Sequence, residues 1–284
     1  MKQSDADFVQ RILKDAKSGK LQLPSPPEFA QDLHTAIEDE SRDAAYVARI
    51  IQYDPGLTTR VIQVANSALY RGHKKVTSCK EAVTRIGMST MRHLIFTFTL
   101  NNAFSAKSSQ VKALMSHVWA LSRETAVMCF IIASKTPGMD PHRALMAGLI
   151  HNVGKLPFLQ YVDEYSSIIE SEKRMQFMLE KLKGPLGDFV LRSWKFDDEL
   201  AAVPTAACDW MRDPAPIADY ADVVNIARAY INVGKPPEPN QSAFPKLFEL
   251  PAFKKIPLCQ LGPDECMQTL ADAELEMGVV KALL

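Results

Sequence analysis

Apolar residues recur every three to four positions along nearly the whole chain, the spacing of helix faces. Phe8, Val9, Ile12 and Leu13 share one face of a helix that Ser4 can cap and Gly19 can end. After the proline-rich "LQLPSPPEF", Phe29, Leu33 and Ile37 mark a second helix. "AAYVARIIQY" reads as a third, stopped at Asp54-Pro55. "GLTTRVIQVANSALY" reads as a fourth, with Leu57, Val61, Val64, Ala65 and Ala68 turned inward. Ser78 and Glu81 stand at capping-box spacing and open a helix that ends at Gly87. Ser89 caps the next, whose apolar set is Met91, Leu94, Ile95 and Phe98.

The polar "NNAFSAKSSQ" reads as a seam between two lobes. Beyond it Val111 to Ser134 predicts one long helix with a stripe of Val111, Leu114, Met115, Val118 and Ser122. Its last turns are apolar nearly all round, which suits a central, buried helix. Asp140 as N-cap and Pro141 at the first helical position start the helix that contains "AGLIHNVGK". Further helices are predicted over 156–182, 186–200 and 218–232, followed by an extended linker, "GKPPEPN". The tail reads as a final amphipathic helix, acidic, with no basic residue from Leu258 to Val280. No sustained alternating strand pattern and no internal repeat is present. The expected class is all-α. The expected organisation is a helical lobe over 1–104, a second over 105–233, and a linker with a helical extension over 234–284.

Composition narrows the classes. With 47% apolar residues among 284, a large core can be buried. Thirty-three basic residues balance 33 acidic ones. That balance argues against a protein built to coat nucleic acid or an anionic membrane. Five scattered cysteines with no CxxC pair suit the reduced thiols of a cytoplasm. The polar start is not a secretory signal, and the longest apolar runs are too short to span a bilayer. A cytoplasmic protein is therefore expected. No GxxxxGK[ST] or GxGxxG loop offers to cradle phosphates.

The six histidines differ in context. His34, His73, His93 and His142 read as surface or half-buried polar residues. His117 and His151 lie inside apolar helices and are expected to be buried, where both ring nitrogens need partners. They read either as satisfied core histidines or as metal ligands from two packed helices. Cys208 reads as a small buried hydrophobe, or as a third, soft ligand beside them for zinc. Asn66 and Ser67 come late in their helix, and Tyr70 precedes Gly72. Their simplest role is an amide and a hydroxyl bonding the next loop's backbone, with a ring packed beneath it. The loop Arg71, Gly72, His73, Lys74, Lys75 reads as a solvated basic tip.

Several stretches, in order over roughly residues 21–213, resemble the HDOD family, bacterial relatives of the HD-domain phosphohydrolases. "LPSPPEFAQDL" resembles the family's opening. "YDPGLTTRVIQVANSALY" resembles its signature helix, with Asp54-Pro55, Leu57, Asn66-Ser67-Ala68 and Tyr70 in place. "VTSCKEAVTRIG", "HVWALSRETA", "AGLIHNVGK" and "SWKFDDELAAV" resemble the elements that follow. In active HD relatives a histidine, an adjacent His-Asp pair and a distant aspartate hold a metal. The resemblance carries the first histidine onto His117 and the pair onto His151 and Asn152. A frequent His-His pair falls on Ala207-Cys208, and the last aspartate on Arg228.

On that correspondence both carboxylates are gone. A divalent metal needs anionic oxygen, and asparagine offers only a neutral carbonyl. An arginine ~5 Å from a dication, at an effective dielectric of ~20, adds about 6–7 kcal/mol of repulsion. No cofactor is therefore expected. Iron, manganese, zinc or magnesium belongs to the alternative reading, a phosphohydrolase acting on nucleotides or other phosphate esters. The resemblance implies a non-catalytic module of bacterial signal transduction. Its partners in trans would be a kinase, a response regulator or a cyclic-dinucleotide enzyme. The former metal pocket, ringed by His117, His151, Asn152, Lys155 and Arg228, is then a polar core network or a pocket for an organic or anionic ligand. A nucleotide receptor without catalysis is a further alternative.

Overall fold

The computed structural model describes residues 5–18, 43–67, 70, 72–88, 90–91, 94–95, 98, 104–164, 171–235, 244–261 and 263–276. Every regular element among them is helical, and no strand occurs. No described helix is long and apolar enough to cross a membrane. The expected caps at Ser4, Gly19 and Ser89, the second helix with His34, and Ala68, Arg71 and His93 lie outside the described residues. So do most of the 234–240 linker and the last residues of the tail.

The chain forms two compact units: residues 1–24 with 104–268, and residues 25–103 with 269–284. In the smaller unit, α2 (Ala44–Ile51), α3 (Pro55–Ala65) and α4 (Cys79–Ile86) pack together. Each starts on a side-chain cap: Asp43 accepts from the Tyr46 amide, Asp54 from Leu57 and Ser78 from Glu81. Helix α3 is shorter than the expected run to Tyr70, because Asn66 already serves as its C-cap. Met91, Leu94, Ile95 and Phe98 are buried at helical spacing, as their pattern predicts.

In the larger unit, α1 (Asp5–Lys17) packs on α8 (Glu172–Ser193), tied by Arg174 Nε to Asp5 Oδ1 at 2.9 Å. The first helix therefore goes with the larger unit, although its place in the chain suggests the first lobe. The unit is built on α5 (Ser109–Ser134) and α6 (Pro141–Ile150), its most extensive helix pair. Around them lie α7 (Lys155–Glu164), α8, α9 (Asp198–Ala206) and α10 (Tyr220–Ile231). The first elements beyond the linker also stay on this unit. Helix α11 (Pro251–Lys255) packs on α10, and Lys255 Nζ reaches Asp222 at 3.3 Å and Asp213 at 2.8 Å. Helix α12 (Pro263–Glu276) follows.

One expected break does not occur. Gly184-Pro185 reads as a helix end, yet α8 runs through it to Ser193. Leu182, Leu186, Val190 and Leu191 are all fully buried, so tertiary packing on both sides of the proline overrides its local penalty. The chain turns instead at Lys195, whose φ is 59°, and restarts on the Asp197 cap.

Candidate functional site

Two glycines fix the turn between α6 and α7. A Cβ on Gly148 would fall 2.4 Å from the Ala126 Cα, so α6 meets α5 backbone to backbone. A Cβ on Gly154 would fall 2.0 Å from the Lys183 carbonyl oxygen and 2.4 Å from the Gly187 nitrogen. Gly187 in turn leaves no room for a Cβ beside Pro204 of α9, 2.5 Å away. The turn His151 to Gly154 is thus pressed onto α8, and α8 onto α9.

His151 is 3% exposed, and its Nδ1 lies 2.6 Å from the Gly148 carbonyl. A carbonyl only accepts, so Nδ1 carries the proton and Nε2 is a bare acceptor. Burial holds the imidazole well below its ordinary pKa, and Arg228, Lys183 and Lys155 press in the same direction. The ring is neutral, and its neighbours are cations.

Those cations form a cluster. Lys155 Nζ and Lys183 Nζ grip the two oxygens of Glu180 at 2.7 and 2.5 Å. Burial works to raise the Glu180 pKa, but the two lysines outweigh it and hold the carboxyl at about 2. Burial, then Arg228, lowers Lys183 to about 8 against the pull of Glu180. Arg228, 9% exposed, donates from Nη1 to the Ala207 carbonyl at 2.5 Å and to Asn225 Oδ1 at 3.2 Å. Asn225 is itself tied to the Asp209 carbonyl at 2.9 Å. Burial lowers the Arg228 pKa, yet a guanidinium stays protonated in proteins. Cys129 of α5 is fully buried, and burial pushes its thiol up even with Arg228 nearby.

The residues singled out from sequence separate accordingly. His151, Asn152, Lys155 and Arg228 are all buried, and the electrostatic coupling of His151 to Lys155 and Arg228 places these three in one cluster. His117 does not belong with them: it is exposed. It lies off the stripe of Val111, Met115, Val118 and Ser122 that α5 buries, and that offset was readable from its position. Cys208 is likewise exposed rather than buried, its thiol donating to the Pro204 carbonyl at 3.2 Å. The trio His117, His151, Cys208 therefore does not fit a metal. Among the described residues no three His, Cys, Asp or Glu side chains stand where they could hold one. Sequence reasoning missed Glu180, Lys183 and Trp210. Lys183 carried a signal, since it falls on the buried stripe of Leu179, Leu182, Leu186 and Val190.

In the smaller unit two of the signature residues, Asp54 and Asn66, have local structural roles. Asp54 is an N-cap. The Asn66 amide accepts from the Val76 N–H and donates to the Val76 carbonyl, both at 2.8 Å, as expected. Ser67 departs from expectation: its hydroxyl is buried without a hydrogen-bond partner among the described residues. Tyr70 is half-buried. Lys74, Lys75 and Gly72 line a pocket of about 380 Å³ with Asn66 and Arg85.

Comparison with known proteins gives a consistent picture. The family described as HDOD domain matches residues 23–207. A solved structure of a candidate metal-dependent phosphohydrolase from Shewanella amazonensis SB2B superposes with a TM-score of 0.78 at 25% identity, covering 96% of this chain and 98% of that one. A candidate signal transduction protein from Marinobacter aquaeolei VT8 shares the fold at a TM-score of 0.63 and 18% identity, covering 98% of this chain and 64% of that one. An uncharacterized protein of Treponema pallidum (strain Nichols) is 24% identical over 141 residues, 48% of this chain. The match spans only 26% of that curated relative.

Proposed function

The chain belongs to the HDOD family, and from that premise we propose that it is a non-catalytic signalling or regulatory module whose HD-type metal site has become a cationic cluster. One observation carries the reading: Arg228 is a buried cation electrostatically coupled to His151, where hydrolysis would need a carboxylate and a metal. Asn152 supplies no anion, and the one carboxylate of the cluster, Glu180, is spent on Lys155 and Lys183. A dication placed there would face three protonated side chains. A regulatory role fits a family whose members act in bacterial signal transduction, with a kinase, a response regulator or a cyclic-dinucleotide enzyme as partner in trans.

The likeness to the Shewanella amazonensis structure favours a second reading, a metal-dependent phosphohydrolase acting on nucleotides or other phosphate esters. Metal analysis of the purified protein, with turnover assays after adding iron, manganese, zinc or magnesium, separates the two. The regulatory reading expects no near-stoichiometric metal and no turnover of nucleotides or cyclic dinucleotides. Metal-dependent turnover that disappears in a His151→Ala variant would sink it.

A further inference from the structure

We propose that Arg228, Lys183 and Lys155 form a binding site for a phosphate group, which enters by displacing the Glu180 carboxylate from between the two lysines. This rests on the reading above, that the cluster has taken the place of a metal.

Charge is the first argument. Among the described residues three basic side chains face one carboxylate and a neutral imidazole, which leaves two positive charges uncompensated there. The Lys155, Lys183 and Arg228 residues are only 8%, 5% and 9% exposed. Buried charge is costly unless it is paired, and a dianion supplies the missing pair. Lys183 is lowered to about 8 by burial first and then by Arg228.

Unspent donors are the second argument. Toward the described residues Arg228 donates from Nη1 alone, and its Nε and Nη2 reach none of them. Its Cζ is 4.1 Å from the centre of the Trp210 ring, which holds the fork in place. A buried, pre-oriented guanidinium with one edge free matches two oxygens of a tetrahedral oxyanion. Nε2 of His151 is also unbonded among the described residues, and it can accept the P–OH proton that hydrogen phosphate has and sulfate lacks.

The third argument is access. The two lysine nitrogens already converge on a pair of oxygens, those of Glu180. The Glu180 side chain is 39% exposed, so it can leave for solvent. The thiol of Cys208, itself exposed, lies 3.1 Å from where a Gly184 Cβ would be, next to Lys183. The Glu180 carboxylate is the member of the cluster that solvent reaches most.

Calorimetric titration of the full chain tests the proposal, with inorganic phosphate, a nucleoside 5′-monophosphate and sulfate as probes. Saturable one-to-one binding of phosphate is expected. Arg228→Met should weaken it about tenfold or more, and Glu180→Gln should tighten it by about the same factor by removing the internal competitor. Opposite signs from two charge-removing variants are not the mark of general unfolding, and a melting curve for each confirms the fold. A monophosphate that binds as well as phosphate identifies an esterified ligand, and free phosphate alone identifies the inorganic ion; either supports the site. No saturable phosphate binding, equal binding of sulfate (an adventitious ion only), or both variants shifting affinity the same way would overturn it. Hydrolysis of the monophosphate would overturn the regulatory reading and leave the anion site standing. Absence of both binding and hydrolysis would do the reverse.

Discussion

The guanidinium of Arg228 lies 4.1 Å from the centre of the Trp210 ring, and the same side chain donates to the Ala207 carbonyl. Two different forces, cation–π attraction and a charge-assisted hydrogen bond, thus hold one cation in place. From sequence, an arginine at 228 has the option of swinging into solvent. Here it is 9% exposed and anchored on both sides, so its charge is a fixed property of the site.

That fixed charge should be visible in its neighbours. Burial lowers the pKa of both His151 and Lys183, and Arg228 lowers each further. In Arg228→Met both should rise, His151 toward 6.5 and Lys183 from about 8 toward 10.5. Imidazole and lysine titrations by NMR measure this. An unmoved His151 would mean that the arginine does not sit beside it in solution.

Buried His151 should also set an acid limit on stability. Its folded pKa lies well below the ordinary 6.5, so below that value the unfolded chain takes up a proton that the folded chain refuses. Stability is therefore lost as pH falls from about 6.5, by up to about 1.4 kcal/mol per pH unit from this group. His151→Gln should lose that part of the slope, seen as a smaller decline in denaturant midpoint between about pH 6.5 and 5. Parallel curves for the two proteins would count against a neutral, buried imidazole.

The glycines of "AGLIHNVGK" should tolerate no side chain. Gly148→Ala drives a methyl into the Ala126 backbone, and Gly154→Ala drives one into the Lys183 carbonyl. Overpacking of this kind costs roughly 1–3 kcal/mol, and more where backbone is what must yield. Thermal melts should fall by several degrees for each. Gly138→Ala is the control of a different kind: nothing lies within 4 Å, so its cost comes only from its φ of +83°. Equal losses at all three positions would argue that backbone strain, not close approach, is the cause.

Much of this was legible in the residues. Helical period located the described helices, most sharply where a single stripe is buried, as in α3 and α4, and caps at Ser78 and Asp140 marked two of their starts. Reading failed where local rules competed with packing. Gly184-Pro185 has the look of a terminus, but the leucines around it carry the helix through. His117 was drawn inward by its apolar neighbours, although one step around the helix decides between core and water. Asn152 and Arg228 signalled a changed site, since their chemistry departs from a metal's needs wherever they lie. Glu180 was silent, and the buried stripe that marks Lys183 does not name its partners. An i, i+3 pair on a helix is usually a solvated one, and only the approach of Lys155 from another helix makes it part of a cluster.

The smaller unit offers the last test. Asn66 closes a ring with Val76, accepting from its N–H and donating to its carbonyl, while a further bond runs from Nδ2 to the Ile62 carbonyl. Val76 is 2% exposed, so water cannot replace the lost partner. Asn66→Ala should leave two buried backbone groups unpaired, at a cost of about 1–3 kcal/mol for each group left unsatisfied. Asn66→Asp keeps the acceptor for the Val76 N–H but sets a carboxylate against the Val76 carbonyl, so it should rescue little. Urea unfolding measures both. An aspartate variant as stable as the parent would show that the donor half of the ring contributes nothing, and that the asparagine is there for something other than the loop.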